Sequence, residues 1–80
     1  MNIIKYILSA HARDRMRERG ITVDEVRQVM GKPDMSYPGT KGEMNHIRNV
    51  NGRKIRIVCV GEMPRKIITV MVIAPRGDTR

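Results

Sequence analysis

The sequence has no phenylalanine and no tryptophan, and Tyr6 and Tyr37 are its only aromatic residues. Two tyrosines cannot form the paired aromatic platform on which RNA-recognition and cold-shock domains stack single-stranded bases. The single cysteine, Cys59, excludes an internal disulfide framework and a zinc site built on several thiolates. No apolar run reaches the ~18 residues of a membrane span, so we expect a cytoplasmic protein with no membrane partner.

The usual catalytic signatures are also missing. The chain has no Walker loop, no dinucleotide-binding glycine fingerprint and no nucleophile-elbow motif. Its two histidines, His11 and His46, have no further ligands at metal-binding spacing. We therefore expect no metal and no cofactor.

The residues that are present favour one small domain, residues 1–80, with a β-rich core. Of 80 residues, 32 are hydrophobic, and 18 of those are Val or Ile, which favour strands. Sixteen Lys and Arg against eight Asp and Glu give a net charge of +8, and eleven of the sixteen are Arg. The excess is +3 over residues 1–20 and +5 over residues 53–80, with none between. This charge favours a polyanionic partner, RNA or a ribosome, because arginine grips phosphate through two parallel hydrogen bonds.

Two helices are predicted by their capping residues. Ser9 is a suitable N-cap for a helix over 10–19, and Gly20 is suited to end it. Thr22 and Glu25 form the sequence pattern of a capping box for a second helix, which Gly31 and Pro33 terminate. Residues 2–8 favour an edge strand or an extended lead-in, and residues 34–42 a loop.

The second half of the chain predicts two hairpins. Asn51-Gly52 is typical of a two-residue type I′ turn, which pairs Val50 with Arg53 and His46 with Ile57. A second turn at 61–64 pairs Val60 with Arg65 and sets Arg56 opposite Thr69. One sheet face then collects Ile55, Ile57, Cys59, Ile68, Val70 and Val72, and the other Lys54, Arg56, Thr69, Ile47, Val58, Ile67 and Met71. The predicted fold is therefore α+β, with two N-terminal helices packed on one face of a three- to four-stranded antiparallel sheet.

Several polar residues are candidates for chemistry. His11, Arg15 and Arg19 form one row along the first helix, beside its apolar stripe. The first turn of a helix disfavours imidazolium, so a neutral His11 is the first candidate general base. His46 is the second, since it and Arg48 fall on the predicted helix-covered face. The alternatives are structural roles. The histidine could lie at the edge of the core with its hydrogen bonds satisfied, and the arginines could be solvated and paired with neighbouring carboxylates.

The segment from Ser9 to Thr22, followed by Glu25-Val26 and Pro33-Asp34, resembles the opening of a small bacterial family of largely uncharacterised proteins. The segment Lys66-Ile-Ile-Thr69-Val70 resembles the closing strand of that family. The family is similar to the RelE/ParE-like and BrnT-type toxins, and the resemblance covers about residues 7–73. Met71 stands where the family often has an aromatic residue.

The resemblance implies a RelE-like fold, an acidic antitoxin protein as partner and metal-independent RNA cleavage. By position it points to His11, Arg15, Arg19 and Thr69. The resulting hypothesis is a ribonuclease toxin of a toxin–antitoxin system. Its catalytic residues are His11, Arg15, Arg56, Thr69 and His46; its nucleic-acid-binding residues are Arg19, Arg48, Lys54, Arg13 and Arg17. The alternatives are a non-catalytic module that binds nucleic acid, a ribosome or a protein, and a topoisomerase-targeting toxin.

Overall fold

The computed structural model describes residues 6–61 and 65–73. The described elements, in chain order, are β1 (Tyr6–Leu8), α1 (Ala10–Arg19), α2 (Val23–Gly31), β2 (Met35–Pro38), β3 (Met44–Val50), β4 (Arg53–Val60) and β5 (Arg65–Ile73). Residues 2–5 of the predicted lead-in and residues 62–64 of the predicted second turn lie outside the described residues.

The sheet has five strands in the order β1-β5-β4-β3-β2 and is mixed. β1 runs parallel to β5, with Tyr6 beside Arg65 and Leu8 beside Ile67, and the other neighbours are antiparallel. The prediction of two helices on a three- to four-stranded antiparallel sheet was therefore wrong. The reason is that both outer strands are short, and a parallel pairing between distant segments has no turn signal in the sequence.

β2 occupies part of the segment that we predicted as a loop. Its four residues pair with β3, placing Ser36 beside His46 and Tyr37 beside Asn45. Pro38 is compatible with this strand because β2 lies at the sheet edge, where one side needs no backbone donor. The turn back to β3 is closed by the Gly39 N–H, which donates to the Glu43 carbonyl at 2.7 Å.

Both predicted helix starts are confirmed. The Ser9 hydroxyl accepts from the Ala12 N–H at 3.0 Å, and Gly20 ends α1 in the left-handed region with φ 68°. Thr22 and Glu25 form the complete capping box. The reciprocal bonds satisfy two backbone donors that an uncapped helix would leave without partners.

Arg53, the first residue of β4, ties the helices to the sheet. Its guanidinium donates to both carboxylate oxygens of Glu25, at 2.9 and 3.0 Å, and to the carbonyls of Arg19 and Gly20. The capping bond with Thr22, followed by the Arg53 contacts, lowers the pKa of Glu25, although burial opposes the shift. One side chain thus fixes the end of α1, the loop and the start of α2.

The first hairpin has the predicted register. Val50 pairs with Arg53, Arg48 with Ile55, His46 with Ile57 and Met44 with Cys59. Since opposite residues share a face, β4 divides into two sets. We call the face that carries Ile55, Ile57 and Cys59 the helix face, because α1 packs on β5 and α2 on β3 and β4 over the same core. The opposite face, with Lys54, Arg56 and Val58, is the open face; no helix of the described residues packs on it.

The second hairpin departs from prediction at a bulge. Val58 pairs with Thr69 but Cys59 pairs with Ile67, so Ile68 has no direct partner on β4. Ile67 rather than Ile68 is therefore the buried residue, and Arg56 lies opposite Met71 rather than Thr69. The bulge also leaves the Ile68 carbonyl free to accept from the Ser9 hydroxyl at 3.3 Å, which joins the start of α1 to the sheet.

Candidate functional site

His46 lies on the helix face with both ring nitrogens engaged. Its Nδ1 is 2.7 Å from Ser36 Oγ, and its Nε2 is 3.2 Å from a terminal nitrogen of Arg65. The residue is only 7% exposed. Burial, and then the charge of Arg65, lower the pKa of His46, so the imidazole is neutral at pH 7.

The tautomer of His46 follows from these partners. A guanidinium has donors and no acceptor, so Nε2 must be the unprotonated nitrogen that accepts from Arg65. The proton is then on Nδ1 and donates to Ser36 Oγ. In this arrangement His46 cannot take a proton from Ser36, which excludes an activated serine nucleophile. The basic nitrogen points instead toward Arg65.

Arg65 connects His46 with two further titratable groups. Burial raises the pKa of the Cys59 thiol, against a hydrogen bond and the positive charge of Arg65. Desolvation likewise raises the pKa of Tyr6, whose strand position is beside Arg65, against the charges of Arg65 and Arg27. Both groups are therefore protonated at pH 7 and are potential hydrogen-bond donors. We call Ser36, His46, Cys59, Arg65 and Tyr6 the His46 cluster.

A second polar group occupies the open face. Arg56 Nε donates to Asn45 Oδ1 at 3.0 Å, and Asn45 Nδ2 donates to the Tyr37 carbonyl at 3.4 Å. Asn45 is 2% exposed, so it holds the guanidinium of Arg56 in a fixed position. Thr69 lies on this face in the same row as Asn45, and Lys54 and Lys66 also lie on it.

The structure divides the predicted catalytic residues among three places. His46 is on the helix face, whereas Arg56 and Thr69 are on the open face, with the sheet between them. His11 and Arg15 are on α1, where Arg15 Nε is 3.5 Å from His11 Nε2 and Arg15 also pairs with Glu18 at 2.6 Å. Within residues 6–61 and 65–73, no hydrogen bond or ion pair joins these α1 residues to His46.

The predicted nucleic-acid-binding residues are also spread out. On α1, Arg13, Arg17 and Arg19 are exposed, and Arg17 pairs with Asp14 at 3.4 Å. Arg48 is on the helix face, as predicted, and donates to the Lys32 carbonyl at 2.7 Å. Lys54 is exposed on the open face. Among the described residues, the predicted nucleic-acid-binding side chains therefore lie on different sides of the domain rather than in one patch.

Sequence reasoning missed Arg65 and Ser36 as partners of His46, and Tyr6 as a neighbour of Arg65. The predicted register placed Ile67, and by alternation Arg65, on the opposite face, and only the bulge brings both to the helix face. Ser36 has no strand signal in the sequence, because residues 34–42 have the composition of a loop. Cys59 was predicted as a buried core residue, and this prediction is confirmed.

The described part of the chain contains no group of three or more His, Cys, Asp or Glu residues placed to hold a metal ion. Neither of its helices is long and apolar enough to cross a membrane.

Neither the curated proteins nor the solved structures contain a significant match to the chain. The family match does not connect the chain with the RelE/ParE-like or BrnT-type toxins. The family described as Domain of unknown function (DUF4258) matches residues 8–72, from the end of β1 to near the end of β5, and the chain belongs to this family.

Proposed function

We propose that this protein is a metal-independent endoribonuclease, of the kind found as toxins in toxin–antitoxin systems, and that His46 is its general base. The observation that carries the proposal is the contact between the neutral His46 Nε2 and the Arg65 guanidinium. A basic nitrogen beside a fixed positive charge is the pair that transesterification of RNA needs.

In this mechanism the scissile phosphate takes the place of His46 Nε2 as the acceptor of Arg65. His46 Nε2 then removes the proton from the ribose 2′-hydroxyl, whose oxygen attacks phosphorus. The bond from phosphorus to the 5′ oxygen breaks, and that oxygen takes up a proton from solvent. The products are a 2′,3′-cyclic phosphate and a 5′-hydroxyl.

The surroundings of His46 support this step electrostatically. In the free protein, Arg65 disfavours the imidazolium form. A phosphate between the two groups reverses this effect, because its negative charge favours both the guanidinium and the protonated His46. Ser36 is exposed, and its hydroxyl accepts a hydrogen bond from His46 Nδ1. This bond fixes the orientation of the ring.

The charge distribution supports RNA as the substrate. A net charge of +8 attracts a polyanion at long range. The exposed arginines of α1 and Lys54 are suited to bind backbone phosphates away from the cleaved bond. By the same electrostatic argument, we propose an acidic antitoxin protein that covers these side chains.

The test is incubation of the purified protein with RNA, with and without EDTA, followed by end-group analysis. We expect cleavage that EDTA does not change. His46→Asn should lower the rate about 10²–10⁴-fold, the usual contribution of general acid–base catalysis. His11→Asn is the matched control, because it removes the exposed histidine of α1 and should leave the rate within about threefold, as a surface change away from the site does.

Thermal unfolding of each variant separates loss of the base from loss of the fold. Arg65→Lys keeps the charge but loses the planar fork, and it should slow cleavage while the protein stays folded. If His11→Asn abolishes cleavage and His46→Asn does not, His11 is the base. If the wild-type protein does not cleave RNA, even with ribosomes present, the ribonuclease proposal is overturned.

A second candidate function is a non-catalytic module that binds nucleic acid or a ribosome. The observation that favours it is Arg56, whose guanidinium is held by Asn45 on a face that no described helix covers. With Lys54 and Lys66 it forms a basic surface suited to a phosphate backbone. RNA binding without cleavage, weakened by Arg56→Gln more than by His46→Asn, would establish this alternative.

A further inference from the structure

A cavity of about 190 Å³ lies between β1 and α2. Its lining residues are Tyr6, Leu8, Val23, Val26 and Arg27. Val23 is 53% exposed although it is a large apolar residue at the start of α2. The cavity is below the ~300 Å³ of sites for drug-sized ligands, so it has room for one planar ring system.

Two arginines lie at or near this cavity, and Arg27 also pairs with Asp24 at 3.7 Å. Arg27 is one of its lining residues, and Arg65 lies beside Tyr6 in the parallel pairing of β1 and β5. The charges of both guanidinium groups lower the pKa of Tyr6, against the larger effect of burial. The pocket therefore combines apolar walls, one aromatic ring and one arginine, with Arg65 on the neighbouring strand. An aromatic ring and guanidinium groups are the combination that holds a base by stacking and a phosphate by charge.

Arg65 lies beside Tyr6, a lining residue of the pocket, and also contacts His46. One end of Arg65 contacts His46 Nε2, and its backbone is paired with that of Tyr6. A phosphate that Arg65 binds would thus have His46 on one side and the pocket on the other. A nucleoside attached to that phosphate on the Tyr6 side would enter the cavity.

We propose that this cavity is a nucleobase subsite that takes a base with its 5′-phosphate, Tyr6 stacking on the base and Arg27 and Arg65 binding the phosphate. The assignment deepens the proposed function and rests on it in one respect: the nucleotide is then the RNA residue next to the cleaved bond. The same chemistry would accept a free mononucleotide.

The test uses the unusual aromatic composition of the chain. Only two tyrosines and two histidines contribute aromatic side-chain signals to the protein NMR spectrum. Tyr6 is at the cavity, whereas Tyr37 is on β2, the strand at the opposite edge of the sheet, and serves as an internal control. A ¹³C-labelled protein is titrated with adenosine 5′-monophosphate, adenosine and inorganic phosphate, each separately.

We expect adenosine 5′-monophosphate to shift the Tyr6 signals saturably while the Tyr37 signals remain in place. Adenosine and inorganic phosphate should each bind at least about tenfold more weakly, because each lacks one half of the contacts. Arg27→Gln should weaken the mononucleotide about tenfold, the usual effect of losing one charge-assisted hydrogen bond. Arg13→Gln removes an exposed arginine of α1 and should change binding less than twofold.

Three results would overturn the subsite: no shift at Tyr6, equal shifts at Tyr6 and Tyr37, or equal affinity for inorganic phosphate and the mononucleotide. The source of the ligand is decided by a second titration with a 2′-deoxy dinucleotide, which cannot be cleaved by this route. If it shifts Tyr6 at lower concentration than the mononucleotide does, the subsite belongs to a nucleic-acid path; weaker binding overturns that assignment. None of these titrations measures cleavage. If the protein binds the mononucleotide but does not cleave RNA in the incubation described above, the ribonuclease proposal is overturned and the subsite is supported.

Discussion

The two faces of the sheet give neighbouring polar residues different surroundings. Asn45 and His46 are adjacent in β3, and both are almost fully buried. His46 points under the helices, where burial and Arg65 keep it neutral. Asn45 points to the open face, where it is an uncharged partner that holds the charged Arg56. The low-dielectric side therefore has a proton acceptor, and the open side has a positioned cation.

This division places the proposed general base on one face and the arginine that attracts a polyanion on the other. A general base needs a neutral form near pH 7, which burial provides. An arginine that attracts a polyanion needs exposure, because burying its charge costs free energy. Strand alternation places the two on opposite sides within one residue of each other.

The largest expected effect is on stability, and it distinguishes Arg53 on the helix face of β4 from Lys54 on the open face. Replacing Arg53 with Ala removes the charged partner of Glu25, which keeps its bond with the Thr22 N–H, and removes the donor to the Arg19 and Gly20 carbonyls. We expect the free energy of unfolding to fall by about 2–4 kcal/mol. Lys54→Ala changes the next residue, which is exposed on the open face, and should stay within about 0.5 kcal/mol. Urea unfolding of both variants measures the difference, and equal losses would remove the contrast.

A smaller effect should come from pH. The pKa of His46 is lowered from its ordinary 6.5, so the native state binds fewer protons than the unfolded state. Its stabilisation is fully present above pH 6.5 and is lost as pH falls through the folded-state pKa. The pKa of Glu25 is lowered from 4.5, so its contribution is lost only in more acidic solution. Unfolding measured between pH 8 and 5 should show the decline in wild type and His11→Gln but not in His46→Gln; a decline that persists in His46→Gln would assign it to another group.

The smallest expected effect concerns salt. If the open face follows an RNA backbone, Arg56→Gln should reduce the slope of log affinity against log salt by ~0.7, the value for one single-strand phosphate contact. Thr69→Val on the same face removes a hydroxyl without changing charge and should leave the slope unchanged. Binding of a short RNA at several salt concentrations gives both slopes. An unchanged slope for Arg56→Gln would show that the RNA does not reach this face.

Local signals predicted much of the fold. The caps at Ser9 and Thr22 and the turn at Asn51-Gly52 each depend on a few contiguous residues, and all three are confirmed. The turn fixes the register of the first hairpin, and with it the face of His46 and Arg56. The bulge after Val58 was not predictable in this way, because it depends on how β5 fits between β4 and β1.

The candidate site was less accessible to sequence reasoning. Periodicity placed His11 and Arg15 in one row, and the structure shows their side chains 3.5 Å apart. The contact between His46 and Arg65 joins residues 19 positions apart on strands that are not neighbours. No spacing rule connects such a pair, since its distance depends on the twist of the sheet and on the length of the arginine side chain.

By itself, the sequence determined the positive charge, the two capped helices, the first hairpin and the faces of most strand residues. These properties follow from composition and from interactions within a few residues or across a two-residue turn. Only the tertiary structure decided the parallel β1, the edge strand β2, the bulge and the partners of His46. Each of these brings together distant segments whose pairing depends on how the whole sheet and its helices pack, which no local pattern encodes.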